Sequence, residues 1–263
     1  RTVDGHIIAI DGGTAQDADH FEEQLRRITG STHIDAWLLT HPHFDHIDVC
    51  TAMIRKYGKS FPADRIYYHF PTEQEIAENE PCWLCTIQDF QKAVPAIEER
   101  TVIVHDGDSF DIGDAHIEIL HQPNPACTEE FINNASVVYR ITVAGQTLLF
   151  PGDLATAEGH AVLQKYRSAL KCDIIQMAHH GQNGVRRDFY EAAAPRACFW
   201  DTPLWLWNND IGQGFNTHIW ETVTVRRWMT DLGVKFHFIA KDGDCAIPLP
   251  YPFDPNDETN IQP

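Results

Sequence analysis

Residues 41–46 read His-Pro-His-Phe-Asp-His. Imidazole nitrogens and carboxylate oxygens are the donors that zinc, iron or manganese takes up. Four such groups in six residues are more than a polar loop with a helix-capping Asp45 requires. In an extended segment His41 and His43 project to the same side and can reach one metal. Asp45 and His46 open the next helix and can aim at a second. Two such ions lower the pKa of water from about 15.7 towards 7 and polarise a substrate oxygen, which is hydrolytic chemistry.

Two further segments place similar groups after apolar runs. Leu148, Leu149 and Phe150 lead into Pro151-Gly152-Asp153, and residues 174–178 lead into His179-His180-Gly181. An aromatic run, with Trp200, Trp205 and Trp207 interspersed with Pro203 and Asn208, does not follow the spacing of an amphipathic helix. It is read either as an aromatic wall able to stack on a ring or hold a cation, or as a core or interface cluster. His218 follows in a loop and is a candidate for the same pocket.

The elements that must position these groups alternate. Strand patterns occur at 7–10, 36–39, 65–68, 102–104, 117–120, 137–143, 147–150, 173–177, 197–200 and 235–239. Helical spacing occurs at 21–28, 47–57, parts of 72–98, 158–170, 185–193 and 219–232. Ala144-Gly145-Gln146 reads as a hairpin turn. Two successive blocks of strands and helices suit an α/β fold, a four-layer αββα sandwich of two mixed β-sheets with helices outside. Residues 1–250 are expected to form one domain and residues 251–263 an irregular tail.

Composition sets the limits. With 263 residues, 43% of them hydrophobic, the chain can bury a sizeable core, and disorder is excluded for its bulk. Lys and Arg number 20 against 38 Asp and Glu, a net charge of −18. That field repels polyanions, so a small-molecule substrate is favoured over a long nucleic acid. No apolar run is long enough to span a membrane. Seven cysteines, an odd number, argue against a disulfide scaffold and for a reducing, cytoplasmic setting. Arg1 is not an initiating methionine, which leaves room for a removed signal or anchor. Cys82-Trp83-Leu84-Cys85 has redox or zinc spacing but no second pair, and reads as incidental or packing cysteines.

The motif His41-x-His43-x-Asp45-His46 resembles the signature of the metallo-β-lactamase superfamily. Asp11-Gly12-Gly13, Gly152-Asp153 and His179-His180-Gly181 are similar to its further motifs in their expected order. The resemblance implies a binuclear metal-dependent hydrolase using a metal-activated hydroxide. Two divalent metals, zinc first and manganese or iron next, would be held by His41, His43, Asp45, His46, Asp153 and His180, with Asp153 bridging. Asp45 would orient the nucleophile. The ligand can be either of His179 and His180; the superfamily's His-Gly ending favours His180, leaving His179 to bind substrate or act as an acid. Asp11 would hold a ligand histidine from behind.

One departure stands out. The loop before the hairpin, where most two-metal members carry a histidine, contains Asn133 and Asn134. His121 is the nearest upstream histidine. The Asn-Asn-x-Ser-Val run is similar to the subgroup holding the hydrolase domain of competence DNA-uptake channels and the phosphorylcholine esterases of teichoic acid. It implies a small phosphoester or phosphodiester as substrate, with Asn133 and Asn134 as substrate contacts; Trp205, Trp207 and His218 are substrate contacts only on the aromatic-wall reading above. A lactone, thioester or β-lactam hydrolase, and a metal-dependent binding or sensing protein without turnover, are the other readings.

Overall fold

The computed structural model describes residues 1–261 and divides into two compact units, Arg1–Val137 and Val138–Pro263. Two β-sheets with helices make this an α/β chain. Among the described residues no helix is long and apolar enough to cross a membrane.

The first unit is built on a parallel sheet in the order β1 (Ile8–Ile10), β2 (Ile34–Leu38), β3 (Ala63–Tyr68) and β4 (Thr101–Ile103). Parallel strands need crossover connections; here α1 (Ala18–Thr29) and α2 (Phe44–Tyr57) supply two of them. On α2 the buried residues include His46, Ile47, Cys50, Met53 and Ile54, the three-to-four spacing of one helical face. Trp37 of β2 is fully buried between Phe21 and Phe61, and its indole N–H donates to the Asp11 carbonyl at 2.9 Å. α3 (Glu73–Asn79) and α4 (Leu84–Ala93) follow β3, and an antiparallel hairpin of β5 (Ser109–Ile112) and β6 (Ala115–His121), which is not part of the four-stranded sheet, comes after β4. The sequence reading missed β5, whose short run alternates exposed and half-buried residues without a strong apolar signal.

The second unit carries β7 (Val138–Val143), β8 (Gln146–Phe150), β9 (Ile174–Gln176), β10 (Ala197–Trp200) and β11 (Phe236–Ile239), paired in that order. The β7–β8 pair is the expected hairpin, and β8 to β11 run parallel. Three helices, α5 (Thr156–Tyr166), α6 (Arg187–Ala193) and α8 (Thr222–Asp231), connect the parallel strands. A four-residue helix, α7 (Leu204–Trp207), lies where the aromatic run was read as irregular. The C-terminal segment is irregular but tied down. Gln146 of β8 donates its amide to the Tyr251 carbonyl at 2.9 Å and accepts from the Tyr251 N–H at 2.6 Å.

A buried histidine couples this unit to pH. His237 on β11 accepts from the Trp200 indole N–H at 3.0 Å and donates through Nε2 to the Val234 carbonyl at 3.1 Å. Burial pulls its pKa down to about 4, against a smaller upward pull from that carbonyl. The unfolded chain therefore takes up this proton at higher pH than the native one. The stability contributed is complete above the ordinary value of 6.5 and is lost as pH falls towards about 4. The full loss is about 3 kcal/mol, of which about 2 kcal/mol is gone by pH 5. Denaturant melts between pH 7 and 5 are expected to show this slope, and His237→Gln to flatten it.

Candidate metal centre

The first unit presents its donors where β2 ends. Thr40 and His41 follow the strand fully buried, and His43 and His46 are also buried. His41 Nε2 lies 3.0 Å from His43 Nδ1, and the His41 and His46 ring centroids are 4.1 Å apart. Asp11 organises the group from behind. Its Oδ2 accepts from His46 Nδ1 at 2.7 Å and from the Thr40 hydroxyl at 2.7 Å, while Oδ1 accepts the Thr40 N–H at 2.8 Å. A carboxylate can only accept here, so the His46 proton sits on Nδ1 and the Nε2 lone pair faces away from Asp11. Gly12 lets this happen: a Cβ there would come within 2.8 Å of Val49 Cβ on α2, so only glycine allows the turn to approach the helix.

Asp45 is half-buried in the first turn of α2. Trp83, which the cysteine spacing had overshadowed, packs its ring 4.5 Å from His43 and stacks on Phe44 at 5.8 Å. Of the two roles read from sequence for its neighbours Cys82 and Cys85, incidental or packing, their exposure fits the first. His121 ends β6 buried, and its Nδ1 donates to the Ser136 carbonyl at 2.7 Å, which leaves Nε2 with the lone pair. Asn134 is buried and spends its amide N–H on the Glu129 carbonyl at 2.7 Å. The Asn133 Oδ1 is buried with no hydrogen-bond partner.

The second unit gathers its donors beyond β8 and β9. Asp153 is 2% exposed, with His180 Nε2 at 3.4 Å and His179 Nε2 at 3.7 Å from its Oδ2. His180 donates from Nδ1 to the Asp201 carbonyl at 3.1 Å, so its Nε2 is the nitrogen turned to the Asp153 side. Burial by itself would depress the His180 pKa. The carboxylates of Asp153 and Asp201 outweigh it and hold the imidazole well above its ordinary range. Gln176 joins the two strand ends, accepting from the Gly152 N–H at 3.3 Å and donating to Asp201 Oδ2 at 2.8 Å. Asp201 and Gln176 were not singled out in the sequence; neither carries a motif, and only the strand register shows what they hold.

The donor chemistry of each unit fits a divalent ion. Bonds of about 2.0–2.2 Å in tetrahedral geometry set neighbouring donors roughly 3.3–3.6 Å apart. The His180–Asp153 pair at 3.4 Å meets this, and the His41–His43 nitrogens at 3.0 Å need to part by a few tenths of an ångström. The field that raises His180 favours positive charge beside Asp153 whether a proton or a metal brings it.

The aromatic residues separate. Trp207 is buried, its ring under the Arg226 guanidinium at 4.4 Å and edge-on to Trp200 at 5.3 Å. Trp205 is half exposed and packs on Trp220 at 5.0 Å, which in turn lies 3.9 Å from His218. Asn209 fixes this loop, donating to Asn216 Oδ1 and to the His218 carbonyl at 2.8 and 2.9 Å.

Comparison with known proteins gives one family and several distant folds. A family model described as the Beta-lactamase superfamily domain matches residues 7–181. No curated protein matches the chain. Among solved structures, the metallo-beta-lactamase fold protein YhfI from Bacillus subtilis is 15% identical, with a TM-score of 0.44, covering 73% of this chain and 72% of that one. A Cronobacter sakazakii metallo-beta-lactamase with a HARLDQ motif is 16% identical at a TM-score of 0.45, covering 66% and 70%. CmlA, a diiron beta-hydroxylase from Streptomyces venezuelae, is 14% identical at 0.43, covering 64% and 35%.

Proposed function

We propose, for a chain that belongs to the β-lactamase superfamily domain family, that it is a binuclear metal-dependent hydrolase of a small phosphoester or phosphodiester. The observation that carries this is the run His41-x-His43-x-Asp45-His46 at the end of β2, with Asp11 holding His46 by its Nδ1 proton. The ligand set is His41, His43, Asp45, His46, Asp153 and His180, all within the matched residues. When bound, the metals supply a nucleophile at neutral pH and polarise the substrate oxygen. The protein's own groups do the rest. Asp45 would accept a hydrogen bond from the nucleophile and so orient it. Asp153 would help to hold a divalent ion through its negative charge. Asp11 and the Asp201 carbonyl fix the tautomers of His46 and His180. His179, with Nε2 3.7 Å from Asp153, would donate a proton to the leaving oxygen.

The Asn133 amide oxygen, buried without a partner, supports a substrate contact where a histidine is usual, and His121 can add its Nε2. A net charge of −18 supports a small substrate. Trp205 and His218 are the exposed and half-buried parts of an aromatic group suited to a substrate's ring or cation, while Trp207 is buried against Trp200 and Arg226.

A panel of chromogenic substrates on metal-loaded protein tests the reading. Turnover of a bis-nitrophenyl phosphate diester or a nitrophenyl phosphate monoester, with none of a lactone or a β-lactam, is the expected result. The reverse pattern, or stoichiometric metal without turnover of any substrate, overturns it. Trp205→Ala is expected to raise KM several-fold to tens-fold at unchanged metal content, the effect of losing about 0.5–2 kcal/mol of aromatic contact.

A further inference from the structure

We propose a third metal site, for a divalent transition ion such as zinc, formed by His6, His33, Asp35 and Asp64. It rests on residues the hydrolytic reading does not use. His33 immediately precedes β2, Asp35 is the second residue of β2, and Asp64 is the second residue of β3. In the β2–β3 register Ile34 faces Ala63 and Ala36 faces Arg65, which sets Asp35 and Asp64 side by side on one face. His33 joins that face because side chains two residues apart on an extended strand point the same way. All four residues lie where the strands begin, whereas residues 41–46 lie where β2 ends. Eight residues of largely extended chain between His33 and His41 span roughly 25 Å.

The donors converge. One ligand atom from each of His33, Asp35 and Asp64 lies within 4.8 Å of the others. His33 Nε2 is 3.4 Å from Asp64 Oδ2 and 3.8 Å from Asp35 Oδ1, and His6 Nε2 is 3.8 Å from the same Asp35 oxygen. Two of the donors are also aimed from behind. His6 Nδ1 is bonded to Asp4 Oδ1 at 3.0 Å, and Asp4 accepts from the Thr2 hydroxyl at 2.6 Å. This fixes the His6 proton on Nδ1 and leaves Nε2 as the donor towards Asp35. Asp35 spends Oδ2 on the Ile7 N–H at 2.7 Å, which leaves Oδ1 for a ligand. A carboxylate behind a histidine is the usual support of a metal-bound imidazole.

The charge balance points the same way. Asp4, Asp35, Asp64 and Asp114 surround the two histidines, and among the described residues no lysine or arginine forms an ion pair with any of them. Two carboxylates side by side on adjacent strands repel, and a cation between them removes the repulsion. Two imidazoles with two carboxylates select zinc, nickel or copper over calcium or magnesium, which prefer oxygen alone. Bound there, the ion would fasten the segment carrying His6 to the start of β2 and β3.

The experiment is a zinc titration of chelator-stripped protein, paired with anomalous diffraction at the zinc edge from crystals grown with excess zinc. An anomalous peak about 2.0–2.2 Å from His6 Nε2, His33 Nε2, Asp35 Oδ1 and Asp64 Oδ2 is expected. His33 and Asp64 side chains are 49% and 62% exposed, so the double variant His33→Ala/Asp64→Asn should fold as the parent does. It is expected to bind one zinc fewer per chain, to lose that peak, and to melt a few degrees below the parent when both are saturated with zinc. His6→Ala is expected to weaken the same site at least tenfold. No peak at saturating zinc, or equal zinc content in parent and double variant, overturns the proposal. Because Asp153→Asn acts on the other ligand set only, loss of zinc in that variant without loss in the double variant would refute this site and leave the hydrolytic reading standing.

Discussion

Asp153→Asn is expected to cost at least one metal per chain and about 10²–10³-fold in kcat, the range lost when one group stabilising developing charge is removed. Asparagine keeps the shape of the side chain and removes its charge. Asp153 is 2% exposed, with two imidazoles at 3.4 and 3.7 Å from one carboxylate oxygen. A neutral amide oxygen in that position binds a divalent ion far less well than a carboxylate. The same substitution removes the stronger of the two charges that hold His180 above its ordinary pKa, leaving Asp201 against the cost of burial. Because the exchange is nearly isosteric, the far-ultraviolet circular dichroism spectrum should not change. Elemental analysis and kcat on the phosphodiester are the measurements. Full metal content with undiminished kcat would remove Asp153 from the proposed ligand set.

Gly181→Ala is expected to destabilise the protein by about 2–4 kcal/mol and to disturb both neighbouring histidines. The turn beyond β9 holds three consecutive residues at positive φ, His179 at 51°, His180 at 56° and Gly181 at 77°. For the histidines this costs of order 1 kcal/mol each. The turn persists because the His179 N–H donates to the Gly152 carbonyl at 3.0 Å and the Thr202 hydroxyl donates to the His180 carbonyl at 2.6 Å. A Cβ on Gly181 would meet the Trp200 ring at 2.5 and 2.6 Å. Trp200 is 1% exposed and its indole N–H is fixed on His237, so the ring has nowhere to go. The backbone must move instead, and with it the Nε2 of His180. Tm and zinc content should both fall, whereas Trp200→Phe in the same background should recover part of the Tm by making room. A Gly181→Ala protein with parental Tm would show that the turn is looser than its contacts imply.

The sequence by itself determined the family, the clustered donor residues and the order of the parts. The donors of residues 41–46 are adjacent in the chain, and a six-residue run fixes its own local geometry once it follows a buried strand. The β7–β8 hairpin and the strand before His179 were legible for a similar reason: apolar periodicity and turn residues act over a few neighbours. The tertiary structure decided what those neighbours could not. Asp11 reaches His46 across 35 positions of sequence, Asp201 reaches His180 across 21, and Gln176 reaches Asp201 across 25. Asp11 was legible from its motif, but Asp201 and Gln176 look ordinary in their own segments. The aromatic run shows the same limit. Composition marked Trp205 and Trp207 alike, but a single turn of α7 buries one under Arg226 and leaves the other half exposed. The grouping of His6, His33, Asp35 and Asp64 came only from parallel strand register. Local forces act within a turn or a strand; which distant side chains share a face is set by how strands pair, and no short stretch of sequence carries that information.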